Sequence, residues 1–153
     1  MDRCEEALHC QIRRFVEADR MALRLVYLNT RRQAFHWMNP DELVLAEFDA
    51  ATADELVLVA ETDGEVVGFV SLWLPENFIH NLFVSPGHQG RGIGTRLLAA
   101  SRDHLAGPAR LKCSIHNTRA RAFYESRGWV VLGRGGDRKS GYLDMEWPQD
   151  PCS

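Results

Sequence analysis

The order of secondary-structure signals predicts an α+β fold, in which a mixed and largely antiparallel sheet packs against helices. Two local signals support this order. Asp63-Gly64 separates two apolar, β-branched runs, which is typical of a two-residue hairpin turn. The glycine-rich segment 89–95 follows a predicted strand and opens an apolar helix. A chain of 153 residues is long enough to bury one sizeable core, so we expect a single domain.

The first third of the chain predicts one strand followed by helices. Residues 11–15 alternate weakly between apolar and polar and predict the first strand. A helix is expected to begin near residues 17–19 and to continue, alone or with a second helix, through 35–37. The proline at position 40 breaks this pattern, and a short helix is predicted over 42–48. The apolar side of the first helix is expected to carry Met21, Leu23, Leu25, Val26 and Leu28.

The remaining two thirds predict six strands and two helices. The strands are predicted at 55–60, 66–73, 78–84, 111–115, 129–132 and 142–147. The helices are predicted at 92–105 and 118–127, and each is followed by a glycine. The resulting order is one strand, two helices, three strands, a helix, a strand, a helix and two strands.

Composition is ordinary for a globular protein. No apolar run reaches the roughly 18 residues that a membrane-spanning helix needs, and residues 1–10 contain no apolar signal-peptide core. We therefore expect a cytosolic protein without a membrane partner. The four cysteines lack the paired spacing of a zinc site, so no metal is expected.

Charge is distributed unevenly along the chain, whose net charge is −3. Residues 41–90 contain ten carboxylates and no Lys or Arg, whereas residues 87–127 contain eight Lys and Arg against two acids. Such a chain can bind a polyanion with one part and attract a cation with the other, although the charges can also simply cover solvated faces. The overall acidity argues against a nucleic-acid partner.

The segment 85–95 joins a predicted strand to a helix N-terminus, where four backbone N–H groups lack intrahelical partners. These donors and the positive end of the helix dipole form an anion site. The three glycines of the segment allow the main chain to approach a ligand closely. Arg91 and Arg96 can add positive charge.

Two other nucleotide-binding motifs do not fit this segment. A Walker loop ends in Gly-Lys-Ser/Thr, whereas this chain has Gly94-Thr95-Arg96. A dinucleotide fingerprint needs a third glycine at position 95, which is Thr95. It also needs an acid about 20 residues further on, where Arg110 and Lys112 stand instead.

The chain resembles the GNAT superfamily of acyl-CoA N-acyltransferases. The cofactor loop of that family, Gln/Arg-x-x-Gly-x-Gly/Ala, is matched by Gln89, Gly92 and Gly94. Its later helix motif, Asn-x-x-Ala-x-x-Phe/Tyr-Tyr, is matched by Asn117, Ala120, Phe123 and Tyr124. The resemblance implies one GNAT domain over 1–153, with 148–153 as a flexible tail. It also implies about seven mostly antiparallel strands, helices on both faces, and splayed central strands.

The resemblance further implies acetyl-CoA (coenzyme A) as co-substrate. The main chain of Leu82, Phe83 and Val84 would pair with the pantetheine arm, which Asn117 would also bind and Tyr124 would border. The pyrophosphate would be bound by the loop residues Gln89, Gly90, Arg91, Gly92, Ile93, Gly94 and Thr95.

The implied reaction is attack of a neutral amine on a thioester carbonyl. Because an alkylammonium has a pKa of about 10, a base must first remove a proton. Tyr124 takes the role of the acid that protonates the departing thiolate, by resemblance. A backbone N–H near Leu82 or Phe83 is the candidate for stabilising the oxyanion.

The base is predicted on the strand at 78–84. Many relatives have a glutamate there, whereas this chain has His80, which alternation places on the same strand face as Leu82 and Val84. An imidazole with a pKa of about 6.5 suits this role. The alternatives are a sheet histidine bonded to the backbone, Glu76 as the base, and a chain of water molecules.

The acceptor is expected to be a primary amine of a small molecule or peptide. Phe35, Trp37 and Trp73 are predicted to line its pocket, and the acidic stretch 41–76 favours a cationic amine. Two other functions are left open, a non-catalytic acyl-CoA-binding regulatory module and a protein N-terminal or lysine acetyltransferase. A homodimer is also left open.

Overall fold

The computed structural model describes residues 10–35, 38–137 and 140–148. Trp37 and the tail predicted beyond residue 148 lie outside these ranges. The strands are β1 Cys10–Arg14, β2 Leu56–Thr62, β3 Glu65–Trp73, β4 Phe78–Val84, β5 Ala109–Ser114, β6 Val130–Gly135 and β7 Tyr142–Trp147. The helices are α1 Arg20–Ala34, α2 Glu47–Ala51, α3 Ile93–Arg102 and α4 Thr118–Glu125. Short 3-10 turns lie at Glu17–Asp19, Pro40–Glu42, Leu74–Glu76 and Pro86–His88.

All seven strands form one sheet in the order β1-β2-β3-β4-β5-β7-β6. Every neighbouring pair is antiparallel except β4 and β5, which are parallel. The hairpin between β2 and β3 turns at Asp63 and Gly64, whose φ angles are 52° and 81°. Positive φ at both central residues matches the twist of the flanking strands. The predicted fold class and hairpin are confirmed.

The central strands β4 and β5 separate soon after they meet. Their ladder contains one pair, Phe78 with Arg110, and the Arg110 N–H donates to the Asn77 carbonyl at 2.9 Å. Beyond this point β4 runs on to Val84 beside β3 alone. The predicted splay is therefore confirmed, and it leaves a gap in the middle of the sheet.

Helices cover both faces of the sheet, as predicted. On one face, Ile93, Leu97 and Leu98 of α3 and Tyr124 of α4 pack against β2 to β5 and β7. On the other, Leu23, Val26 and Tyr27 of α1 and Phe48 of α2 pack against β2 and β3. We call these the α3–α4 face and the α1–α2 face. No helix in the described ranges is long and apolar enough to cross a membrane.

The predicted apolar side of the first helix was partly wrong. Leu23, Val26 and Leu28 are buried, but Met21 is 55 % and Leu25 is 44 % exposed. Met21 and Leu25 are four residues apart and lie next to each other on the helix surface. Leu28 lies three residues after Leu25 on the same side but is 6 % exposed, so the exposure of this side changes along the helix. The helix predicted through 35–37 was wrong at Phe35, because α1 ends at Ala34. Residues 36 and 37 lie outside the described ranges.

The helix predicted over 42–48 was wrong in position, because α2 begins only at Glu47. Two side chains hold the preceding segment in another conformation. The Asn39 side chain accepts from the Asp41 N–H at 3.0 Å, which fixes a tight turn after Pro40. The Glu47 carboxylate accepts from the Val44 N–H at 2.8 Å, which occupies that donor just before α2.

Candidate functional site

The loop that follows β4 is held in place before α3 begins. The Gln89 side-chain amide donates to the Val84 carbonyl at 2.9 Å, which ties the loop to the end of the strand. Gly90 and Gly92 have φ angles of 80° and 81°, a conformation that glycine adopts without steric cost. Gly92 is also the N-cap of α3. The last part of the loop before the helix therefore contains two glycines in the left-handed backbone conformation.

The N-terminus of α3 is open to a ligand. No side chain caps it within the part of the chain that the structure describes. The Arg96 N–H, which donates to the Gly92 carbonyl at 3.1 Å, makes the first intrahelical bond. The four N–H groups of residues 92–95 consequently lack helical acceptors. A Cβ added at Gly90 or Gly92 would meet no described atom within 4 Å, so the loop is open around these two α-carbons. This cradle fits a phosphate or diphosphate.

Gly94 lies where α3 packs closely against α4. A Cβ at this position would come within 3.2 Å of the Phe123 ring on α4. Phe123 also packs against the apolar cluster of the α3–α4 face. The packing of α4 therefore favours glycine at this position, and the predicted approach of a ligand to the Gly94 main chain stays a prediction.

Positive charge at the cradle comes from a residue that the sequence did not single out. The Arg127 Nε donates to the Thr95 Oγ1 at 2.7 Å, and its guanidinium lies 3.8 Å from the centroid of the Phe123 ring. The predicted contributor Arg96 instead donates to the Cys10 carbonyl at 2.5 Å and links α3 to β1. Arg91 is exposed in the loop. Arg127 follows the end of a helix with no motif around it, so only the tertiary contact identifies it.

The gap between β4 and β5 starts at the Phe78–Arg110 pair and continues toward the cradle. Leu82 and Val84 pack on the α3–α4 face and Phe83 on the α1–α2 face. Their main-chain groups on the β5 side lie beyond the ladder between the two strands. Asn117 caps α4 by accepting from the Ala120 N–H at 3.1 Å, which uses only its side-chain oxygen. Its Nδ2 group is the donor that can serve a ligand in the gap.

Tyr124 lies on the α3–α4 face and is 9 % exposed. Its ring packs at 5.4 Å from Phe123 and at 5.4 Å from Trp129, both edge to face. Burial raises the pKa of the Tyr124 phenol well above its usual range, and the neighbouring Cys113 adds to this effect. Burial likewise raises the pKa of the Cys113 thiol to about 11. Tyr124 is therefore a neutral phenol at physiological pH, the form that can donate a proton.

His80 is the extra residue of a β-bulge. Ile79 pairs with Leu72 and Asn81 with Ser71, so His80 has no counterpart on β3. Its Nδ1 lies 2.9 Å from Glu55 Oε2, and its side chain is 46 % exposed. The predicted alternation with Leu82 and Val84 was wrong, because the bulge interrupts it. The alternative of a histidine bonded to the backbone also does not match this carboxylate contact.

Glu55 immediately precedes β2 and was missed by the sequence analysis. It stands two residues before Val57, which packs on the α1–α2 face, so alternation places Glu55 on that face. His80 contacts Glu55 and therefore lies on the same face. His80 and Tyr124 consequently lie on opposite faces of the sheet. The two partners of the His80–Glu55 contact are 25 residues apart, and no local pattern connects them.

Asn81 anchors the bulge from the inside. It is 8 % exposed, and its Nδ2 donates to Ser71 Oγ at 2.8 Å and to the Ala51 carbonyl at 3.2 Å. The second bond attaches the end of α2 to β4. One buried amide thus fixes both the bulge and the helix beside it.

The structure gives contacts for three of the predicted acceptor-pocket residues, Phe35, Trp73 and Glu76. Trp73 is 37 % exposed and pairs with Phe78 in the β3–β4 ladder. The Phe78 ring lies 6.3 Å from that of His80. The Phe35 ring lies 6.0 Å from that of Phe83. Trp37 lies outside the described residues. A cleft of about 380 Å³ at the closed end of the gap is lined by Glu76, Phe78, Arg110, Leu111, Asp144 and Met145.

The acidic stretch is partly neutralised by arginines of β1 and α1. Asp49 pairs with Arg20 at 2.8 Å and with Arg24 at 2.7 Å, and Glu47 pairs with Arg31 at 2.8 Å. These carboxylates serve the packing of α2 on α1. Two other acids, Glu76 and Asp144, line the cleft together with Arg110.

Comparison with known proteins agrees with this architecture. The family model of the acetyltransferase (GNAT) family matches residues 15–129. An uncharacterized N-acetyltransferase of Bacillus subtilis (strain 168) is 34% identical over 89 residues, which are 50% of this chain and 59% of that protein. The match thus spans little more than half of the Bacillus protein.

Two further proteins match over most of the chain. A 5-NmdU N-acetyltransferase of Pseudomonas phage PaMx11 is 26% identical over 129 residues, which are 78% of this chain and 89% of the phage protein. The solved structure of a PaiA N-acetyltransferase from Thermoplasma acidophilum in complex with coenzyme A is 19% identical, with a TM-score of 0.75. That likeness covers 92% of this chain and 99% of the other, and it shows the shared fold.

Proposed function

Because the chain belongs to the acetyltransferase (GNAT) family, we propose that it transfers an acetyl group from acetyl-CoA to a primary amine of a small molecule or peptide. Transfer occurs by direct attack within a ternary complex. The observation that carries this proposal is the combination of a split sheet and an uncapped helix at its mouth. A strand edge suits an extended amide-containing arm, and the cradle suits the diphosphate to which that arm is joined.

The donor supplies the acetyl group as an activated thioester. The N–H groups of residues 92–95 bind the diphosphate, with Arg127 and Arg91 adding positive charge. The main chain of residues 82–84 pairs with the pantetheine amides, and the Asn117 Nδ2 donates to the same arm. These contacts hold the thioester in the gap, where reactant positioning lowers the barrier.

Two side chains move protons from opposite sides of the gap. His80 accepts a proton from the acceptor amine on the α1–α2 face, where its ring is half-exposed. Tyr124 donates its phenolic proton to the departing sulfur on the α3–α4 face. The raised pKa of Tyr124 keeps that proton available at neutral pH.

The acceptor enters on the α1–α2 face, near Trp73, Phe78 and the cleft that contains Glu76. Two carboxylates in this cleft favour a cationic amine, since Arg110 beside them is paired with Glu146 at 3.1 Å. The phage relative is named for 5-NmdU, so that compound belongs in the acceptor panel beside polyamines, amino sugars and peptides.

The test is release of free thiol from acetyl-CoA in the presence of each acceptor, for the wild type and for Tyr124→Phe. We expect kcat to fall by roughly 10²–10⁴-fold in Tyr124→Phe, because the proton donor is lost while the ring stays in place. Tyr142→Phe is the matched control, since Tyr142 lies on β7 beside Lys112, and we expect wild-type kcat.

Calorimetric titration with acetyl-CoA, CoA and NADH accompanies the kinetic test. Binding of the first two without NADH is expected. Binding of acetyl-CoA without thiol release for any acceptor would favour the non-catalytic regulatory module instead. Mass spectrometry of co-incubated peptides and proteins separates small-molecule acetylation from acetylation of protein N-termini or lysines.

A further inference from the structure

His80 contacts a carboxylate that is far more buried than the histidine itself. The Glu55 side chain is 8 % exposed, whereas that of His80 is 46 % exposed. The Nδ1 of His80 lies 2.9 Å from Glu55 Oε2. The ring therefore has one nitrogen turned to a buried acceptor, and its other nitrogen, Nε2, lies across the ring from that contact.

The chemistry of the contact fixes the position of the imidazole proton. A neutral imidazole carries one N–H donor and one acceptor nitrogen, and an ionised carboxylate only accepts. Nδ1 must then carry the proton that Glu55 receives as a hydrogen bond, which leaves the lone pair on Nε2. This is the tautomer in which Nε2 can accept a proton from an incoming amine.

Structural stability alone does not account for Glu55. Its second oxygen, Oε1, is buried and has no hydrogen-bond partner among the described residues. A buried polar atom left without a partner destabilises the fold. A residue that breaks this rule in the interior is expected to serve function instead.

We propose that Glu55 is a positioning residue that holds His80 in the Nδ1–H tautomer, with Nε2 ready to accept the proton of the acceptor amine. The inference rests on the proposed function, because it assigns His80 the role of base. In the step itself, the amine N–H bond breaks and an Nε2–H bond forms. The resulting imidazolium is stabilised by the Glu55 carboxylate, which takes up no proton in this step and touches neither substrate.

The tautomer is measured directly by long-range ¹H–¹⁵N correlation spectra of the histidine side chains, with His80 assigned by its loss in His80→Gln. We expect the Nδ1–H tautomer in the wild type and its loss in Glu55→Ala. Glu61→Ala, which removes a carboxylate near the other end of β2, is the matched control and should leave the His80 signals unchanged. A wild-type His80 with its proton on Nε2 would overturn the proposal.

Kinetics and stability give the second readout. We expect Glu55→Ala to lower kcat by about tenfold or more, within the range of a complete proton-transfer group, with KM for acetyl-CoA unchanged. The Tm should stay level or rise, because an unpartnered buried oxygen is removed. In a His80→Gln background, Glu55→Ala should have no further effect on kcat, since Glu55 acts only through His80. Additive losses of kcat, or a lowered Tm without a change in tautomer, would show a structural role instead.

The two proposals fail in different ways. If no acceptor releases thiol, the proposed function fails, while the tautomer of His80 still decides the role of Glu55. If thiol is released at a normal rate by Glu55→Ala, the positioning role fails and the transferase function stands.

Discussion

Gly92 gives the anion cradle its backbone conformation, because its φ of 81° lies in the left-handed region. We expect Gly92→Ala to lower the free energy of unfolding by about 1–2 kcal/mol, since a Cβ strains this conformation. Affinity for CoA should fall as well, because relief of the strain moves the N–H donors. Urea denaturation and calorimetry measure the two effects.

Gly87→Ala is the control in the same loop. Gly87 has no positive φ, and an added Cβ would meet no described atom within 4 Å. The stability and the CoA affinity of Gly87→Ala should match those of the wild type. Equal losses in both variants would mean that the loop tolerates no side chain at all and that the left-handed turn has no special role.

Asp19 forms an acid-sensitive ion pair with Arg13, which connects β1 to the turn before α1. Hydrogen bonding from Arg13, at 2.8 and 2.9 Å, holds the pKa of this carboxyl below its usual range. A lowered folded-state pKa means that the pair stabilises fully above the unfolded pKa of about 4. The stabilisation is then lost as pH falls through the folded value.

We therefore expect Asp19→Asn to unfold more readily at neutral pH, by about 1–3 kcal/mol, and to approach the wild type in stability at low pH. Urea denaturation at a series of pH values measures this. Asp41→Asn, at an exposed position, should follow the wild-type curve throughout. A constant difference between Asp19→Asn and wild type at every pH would contradict the ion-pair explanation.

At the scale of elements, the bulge in β4 places His80 beside Asn81, whose side chain is buried and hydrogen-bonded. Asn81→Ala leaves the Ser71 hydroxyl and the Ala51 carbonyl without their donor, in a region where Ser71 is 0 % exposed. We expect a loss of about 1–3 kcal/mol in stability. We also expect a lower kcat, because His80 sits in the bulge that Asn81 fixes.

Chemical denaturation and steady-state kinetics test this pair of effects. Asn39→Ala, which removes an exposed turn-capping side chain, should leave kcat unchanged. A stable Asn81→Ala variant with wild-type kcat would show that the bulge holds its shape through backbone pairing alone.

Elements whose signals are local were predictable from the sequence, and those set by distant partners were not. The residues Asp63 and Gly64 favour a hairpin turn by themselves, and the glycine loop indicates where α3 begins. The start of α2 depends on Asn39 and Glu47, whose bonds to the backbone compete with a helix over 42–48. The face on which His80 lies depends on the register of β4 against β3, and alternation alone misplaces it.

The same distinction holds in the candidate site. The loop and the Asn117–Tyr124 helix lie in continuous segments with recognisable spacing, so their positions were predicted. Glu55 and Arg127 join the site through contacts made 25 and 32 residues away along the chain. No periodicity in the sequence reports such contacts.

At the scale of the whole molecule, the uneven charge of the sequence becomes a difference between the cradle and the cleft in which we propose that the acceptor binds. The cradle has Arg91 and Arg127 nearby, and the cleft contains Glu76 and Asp144. We expect a diamine to give a higher kcat/KM than a monoamine of equal size with a hydroxyl in place of the second amine. The preference should shrink at high ionic strength, since salt screens exposed charges.

Glu76→Gln should reduce this preference, whereas Glu65→Gln, at the distant hairpin, should preserve it. Steady-state kinetics with both amines at low and high salt measure the effect. Equal kcat/KM values for the two amines in the wild type would remove the case for a cationic acceptor.

The split between β4 and β5 also bears on the stability of the protein with and without a ligand. A sheet interrupted at its centre lacks a run of ladder bonds. If acetyl-CoA occupies the gap as proposed, saturation at a hundred times Kd would add about 2.7 kcal/mol to the folded state. The protein without acetyl-CoA would then open more often and be more exposed to proteases, so its abundance in a cell would follow the supply of that ligand.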